Sequence, residues 1–225
     1  MRLQQQLHVI PLRPRLAPRR ETGKPASLTM QPDPNPTQMR RPGLFRRLFP
    51  RRDPTIQKTV DTLYEQIVAA ARQPFLYSDW QVPDTPLGRY EMLSLHLFLF
   101  LRRVRGEEGA IHEIAQELTD GFFRDMDHSI RELGVSDVGV PKRMKKLSRM
   151  FYGRVTSYGD ALDRDDGAAL AAALARNVRP ELSDWREAGK LAGYAAAAAT
   201  ALQGQGIPAF LDGRVSFAPP AETAP

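Results

Sequence analysis

The stretch "MLSLHLFLFL", Met92–Leu101, is interrupted only by Ser94 and His96. It is about half the ~20 apolar residues that a membrane-spanning helix needs. It sits inside a longer helical segment, about 86–105, that is apolar nearly all round. Such a helix has no broad solvent face, so it is placed at the centre of a soluble bundle. His96 is then expected to be a hydrogen-bonded core histidine.

The flanking chain reads as helix throughout. Asp53-Pro54 supplies an N-cap and an N1 proline, and Ile56, Val60, Leu63 and Ile67 follow at three- and four-residue steps. The Pro-rich connection "QPFLYSDWQVPDTP" carries aromatic residues expected to fold back on the core. A helix over about 109–133 carries Ile111, Ile114, Ala115, Leu118, Phe122, Met126, Ile130 and Leu133 on one stripe, with Gly134 as its C′ stop. Pro141 opens the next helix. Two Ala-rich helices follow, about 165–176 and 184–203, the second with Asp184 and Glu187 spaced as a capping box. Its Ala and Gly residues suit close helix packing. Asp212-Gly213 inside "FLDGRVSF" (Phe210–Phe217) predicts a small β-hairpin. The fold class is therefore all-α: a single multi-helix bundle over 53–217, a small C-terminal β-hairpin, a disordered basic N-terminal arm over 1–52 and a disordered tail over 218–225.

Charge is distributed unevenly. The 225 residues carry a net +6, but residues 1–52 hold twelve basic side chains against Glu21 and Asp33, a net +10. Residues 53–225 are left with −4. A basic, Pro-rich arm without hydrophobic period reads as disordered and attracted to phosphates. Leu44, Phe45, Leu48 and Phe49 give the segment 43–50 an amphipathic character suited to an anionic bilayer surface, and Met39 is an alternative start. No apolar h-region follows the early charges, so no secretory signal is expected. With no cysteine in the chain, disulfides, thiolate metal sites and cysteine nucleophiles are excluded.

"DMDHSIRELGVSDVGVPKRMKK" (Asp125–Lys146) holds the densest candidate chemistry. On a helix Asp125 and Asp127 diverge to opposite flanks of Met126, and His128 points away from the apolar stripe. Two exposed groups make no metal site, and His112 lacks the second histidine that a zincin helix requires. No Gly-x-Ser-x-Gly or phosphate-binding Gly-rich loop is present. Catalytic residues, metal and cofactor are therefore all expected to be none. Asp120–Arg124 and Asp127–Arg131 have the spacing of i,i+4 ion pairs.

The basic half of that stretch is more telling. With Met144 set at zero, Leu147, Phe151, Val155, Tyr158 and Leu162 form one apolar stripe. Lys145, Arg149, Lys142 and Lys146 fall at about 100°, 140°, 160° and 200°, with Arg143 on the shoulder. Like charges on one ridge repel, and a purely structural helix usually intersperses glutamates. Solvated basic faces are common, so the ridge is either that or a contact surface, and as a contact it suits RNA phosphate, anionic lipid or an acidic protein surface equally.

"PDTPLGRYEMLSLHLFLFLRRVR" (Pro83–Arg105) and "FRDMDHSIRELGVSDVGVPKRMKKLSRMFYGRV" (Phe123–Val155) resemble the ubiquinol–cytochrome c chaperone family. The resemblance spans about 64–162 and, more weakly, Trp185 and Gly213–Phe217. Its signature positions are Asp84, Gly88, Arg89, Asp125, Met126, Asp127, Gly134, Val135 and Pro141. It implies a non-enzymatic chaperone of newly made cytochrome b in assembly of the ubiquinol–cytochrome c reductase, respiratory complex III. It further implies a small partner protein and a place near the ribosome. The site of action would be cytoplasmic and peripheral to the inner membrane in a bacterium, or the matrix of a mitochondrion. An apolar client implies an exposed apolar patch, with Phe75–Trp80 as candidate. Two other readings remain from the residues alone. One is a regulatory protein binding RNA or anionic membrane non-specifically, since no motif for sequence-specific nucleic acid is present. The other is a helical metalloenzyme using His96, His112 or His128.

Overall fold

Why the apolar segment becomes a central helix is visible at its start. In the computed structural model, which describes residues 54–217, α3 (Pro86–Arg103) begins at Thr85, whose side chain accepts a hydrogen bond from the Gly88 N–H at 3.2 Å. Pro86 takes the first helical position, where no N–H is needed. Every residue from Ser94 to Leu101 is buried. Around α3 lie α1 (Pro54–Ala71), α2 (Pro74–Ser78), α4 (Ala110–Glu132), α5 (Val140–Asp163), α6 (Gly167–Val178), α7 (Ala188–Gln203) and α8 (Ile207–Leu211). α3 contacts α1, α5, α6 and α7, while α4 bridges α1 and α5. No strand occurs among the described residues.

The stripes expected from periodicity face inward. Val60, Leu63 and Ile67 of α1, and Ile111, Ile114, Leu118 and Phe122 of α4, are buried. Burial of each such side chain contributes about 1.5–3 kcal/mol. Leu133 departs from its stripe and is exposed, because the chain leaves the helix there. The Ala-rich packing of α7 uses Ala188, Ala192, Ala195 and Ala198, whereas Gly189 and Gly193 are exposed.

His96 is fully buried between α3 and α7. Its Nδ1 lies 2.7 Å from the Met92 carbonyl oxygen and its Nε2 2.8 Å from the Tyr194 hydroxyl. A carbonyl cannot donate, so Nδ1 carries the proton and Nε2 accepts from Tyr194. Desolvation pushes the imidazole down to about 4. Arg103, at the end of α3, donates to the carbonyls of Leu202 and Gln205 at 3.0 and 2.9 Å, placing a cation at the C-terminus of α7.

Two local expectations fail for long-range reasons. Asp184 does not cap α7, which begins after Glu187 with no side-chain cap. Trp185 is instead drawn into the core, where its indole N–H donates to the Trp80 carbonyl at 3.1 Å. The predicted hairpin over Phe210–Phe217 is absent. Gly213, at φ +76°, ends α8: its N–H donates to the Phe210 carbonyl at 3.0 Å and the Arg214 N–H to the Ala209 carbonyl at 2.8 Å. That pair of bonds is the Schellman C-cap, which needs the same left-handed glycine as a hairpin turn. The chain beyond has no regular structure, and two glutamine side chains hold its backbone in place of a partner strand. Gln66 donates to the Gly213 carbonyl at 2.7 Å and accepts from the Val215 N–H at 3.0 Å. Gln205 makes the same two-way contact with Ser216, at 2.7 and 2.9 Å. The arm over 1–52, with its 43–50 segment, the Asp53 cap and the tail over 218–225 lie outside the described residues.

Candidate partner-binding surface

The basic ridge depends on how the chain turns from α4 into α5. Gly134, at φ +78°, gives α4 a Schellman end, with its N–H on the Arg131 carbonyl at 2.9 Å and the Val135 N–H on the Ile130 carbonyl at 3.4 Å. Ser136–Val140 then form one helical turn. The Gly139 and Val140 N–H groups both donate to the Ser136 carbonyl, at 2.7 and 3.2 Å. Pro141 follows as the second residue of α5 rather than the first.

α5 is fixed to α3 by polar groups inside the bundle. The Arg154 guanidinium meets the buried Glu91 carboxylate as a fork, with Nε 2.5 Å from Oε2 and Nη2 on Oε1. Its Nη1 donates to the Met150 carbonyl at 2.8 Å, and the Tyr90 hydroxyl donates to the Leu147 carbonyl at 2.9 Å. Burial pushes the Glu91 carboxyl up, and the Arg154 fork opposes that shift. Burial likewise raises the Tyr158 phenol, whose oxygen accepts from Asn177 at 3.1 Å.

With its inner face held this way, α5 presents the ridge outward. Lys142, Arg143, Lys145, Lys146 and Arg149 are all exposed, and none forms an ion pair with another described residue. The acids just preceding the ridge in sequence are engaged elsewhere. Asp127 takes Arg131 at 2.7 Å, Asp137 takes the same guanidinium, and Glu132 lies 3.1 Å from His128.

The signature residues are not gathered into one site; they shape corners. Asp84 and Arg89 pair at 2.6 Å at the start of α3. Gly88 is required there by contact, because a Cβ would sit 1.9 Å from the Pro83 carbonyl oxygen. Asp125 lies beside the Tyr64 phenol, which burial first and the Asp125 charge second push up. Met126 packs against the core. Gly134, Val135 and Pro141 build the turn described above.

Two sequence expectations are revised, the Asp120 ion pair and the Phe75–Trp80 patch. Asp120 accepts from Gln116 at 3.2 Å in place of pairing with Arg124. The Phe75–Trp80 segment forms no outward patch: Phe75 and Trp80 stack edge-on, 4.7 Å between ring centroids, and both pack on Tyr194. His96, His112 and His128 do not converge, and no group of three metal-ligating side chains occurs among the described residues. The Glu91–Arg154 pair was missed, although its signal was present. Glu91 is an acid opening the apolar run, and Arg154 falls within about 40° of Tyr158 on the apolar stripe of its helix.

A family model described as Ubiquinol-cytochrome C chaperone matches residues 78–217. Ubiquinol-cytochrome-c reductase complex assembly factor 1 of Xenopus laevis is 26% identical over 97 residues, 43% of this chain and 48% of that protein. The chain thus spans about half the length of that curated relative. The crystal structure of the Cbp3 homolog from Brucella abortus is similar at a TM-score of 0.71 and 53% identity, covering 78% of this chain and 95% of that one.

Proposed function

The chain belongs to the ubiquinol–cytochrome c chaperone family, and from that premise we propose that it assists assembly of the ubiquinol–cytochrome c reductase by binding newly made cytochrome b. The observation that carries this reading is the family match over 78–217, which includes the α3 start, the α4–α5 corner and the α5 ridge. The likeness to the Cbp3 homolog supports it over most of the described bundle. The role is that of a chaperone without catalysis. Its place of work is the inner-membrane surface, on the cytoplasmic side in a bacterium or the matrix side in a mitochondrion. No helix among the described residues is long and apolar enough to cross a membrane, so contact with the bilayer would be peripheral for this part of the chain. Lys142, Arg143, Lys145, Lys146 and Arg149 are the proposed partner-binding residues. A ribosome and a small partner protein are further candidate partners.

Deleting the gene tests the reading. Haem b-loaded cytochrome b in membranes should fall and return when the intact gene is restored. Normal levels in the deletion strain would defeat it.

A further inference from the structure

The corner between α4 and α5 bears two aliphatic side chains left in solvent, Leu133 at 63% exposure and Val138 at 91%. Val135, between them, is half-buried, and its N–H closes the α4 cap on Ile130, which is buried. The two exposed side chains therefore stand out from a corner whose backbone is held by hydrogen bonds.

Val138 also belongs to the ridge. Gly139 has right-handed helical dihedrals, φ −82° and ψ −27°, so the spacing of α5 continues back through it. On that spacing Val138, Lys142, Lys145 and Arg149 follow one another at steps of four, three and four residues, within about 60° of one another. Lys146 extends the same line by one turn from Lys142. An aliphatic tip is thus followed along one edge by unpaired cations.

We propose that the α4–α5 corner is a lipid-docking edge, in which Leu133 and Val138 enter the headgroup–acyl boundary of an anionic bilayer while Lys142, Lys145, Lys146 and Arg149 lie along its phosphates. Both halves of the surface are needed for the assignment. Cations alone attract any polyphosphate. Aliphatic side chains gain nothing from RNA phosphates, and RNA bases are instead taken up by stacking on aromatic side chains and guanidinium planes, yet aliphatic groups partition into the bilayer interface. No aromatic residue lies between Leu133 and Arg149. Arg131 is occupied by Asp127 and Asp137, and His128 by Glu132, so the acids of the corner are turned to its α4 side. The edge deepens the partner-binding role given to the ridge and does not depend on cytochrome b being the client.

The test is flotation of the purified full chain with phosphatidylcholine vesicles, with and without phosphatidylglycerol. Two variants are compared with the parent, K142Q/K145Q/K146Q/R149Q and L133S/V138S. Any contribution of residues 1–52 is common to all three proteins, so differences report the corner. Each cation near an anionic surface contributes about fivefold in partitioning, or about 1 kcal/mol. The charge variant, lacking four cations, is expected to bind anionic vesicles weaker by several hundredfold at low salt. L133S/V138S is expected to lose roughly five- to tenfold, and to keep that deficit when salt has screened the charges. Melting temperatures should match the parent, since all six positions are exposed or unpaired. If L133S/V138S floats like the parent, the aliphatic tip does not enter lipid and the proposal fails. That holds equally if the charge variant floats like the parent on anionic vesicles and loses only co-sedimentation with ribosomes, which would assign the ridge to RNA. Neither result touches the chaperone reading, which is decided by cytochrome b levels.

Discussion

Arg154 on α5 and Glu91 on α3, 63 residues apart, form a two-pronged ion pair inside the bundle, where both side chains are nearly inaccessible to water. Removing one partner leaves a buried charge unpaired, whereas removing both leaves an apolar gap that can be refilled. Glu91→Leu or Arg154→Met alone should each cost about 3–5 kcal/mol of unfolding free energy. The double variant should recover much of that loss. Urea titrations of the three proteins decide it, and strictly additive losses would show that the pair is not coupled.

The close approach at the start of α3 gives a second expectation. Gly88→Ala places a methyl group where the Pro83 carbonyl stands. Alanine favours helix and stiffens the unfolded chain by under about 1 kcal/mol, which is smaller than the clash. A net destabilisation of about 2 kcal/mol follows, lowering the melting temperature by roughly 4–8 °C for a chain of this size. A rise in melting temperature would mean that the Pro83 segment moves aside freely.

His96 makes stability depend on pH. The unfolded chain takes up the imidazole proton near 6.5, the folded protein only near 4. Between those values the unfolded state holds more protons, so this contribution is complete above 6.5 and is lost as pH falls toward 4. The loss approaches roughly 3 kcal/mol at the acid end. Denaturation curves at several pH values should show the parent falling more steeply than His96→Gln by about one proton. Parallel slopes would place the His96 proton elsewhere.

The glutamine clamps hold the end of the described chain. Gln66→Ala frees the Gly213 carbonyl and the Val215 N–H together. The Val215 amide should then exchange with solvent at least tenfold faster, reflecting a loss of about 1–2 kcal/mol of local stability. Amides in the middle of α3 should exchange as in the parent. Unchanged protection at Val215 would show that the tail is held by the packing of Phe217 on His96, 5.0 Å between ring centroids.

Much of the architecture was legible because helices are local objects. The stripe Val60–Leu63–Ile67, the all-round apolar helix and the glycine stop at 134 each follow from residues a few positions apart. The basic ridge was legible for the same reason. Its aliphatic head was not, since Leu133 reads as part of the α4 stripe until the corner lifts it away. The inward fate of Phe75–Trp80 also escaped local reading, because Tyr194, which receives both rings, lies more than a hundred residues on.

Asp212-Gly213 marks the boundary between the two sources of information. Local spacing was enough to place a turn glycine there, helices around it, and four cations on one ridge of α5 with Arg143 on its shoulder. That this glycine closes a helix and not a hairpin, and that Glu91 meets Arg154, depends on contacts between distant parts of the chain. The physical reason is that a turn glycine serves either ending equally well, and a buried polar group is stable only opposite its partner. Gln66, 147 and 149 residues from the backbone groups it binds, had to be brought alongside before the last stretch of described chain could be held without a partner strand.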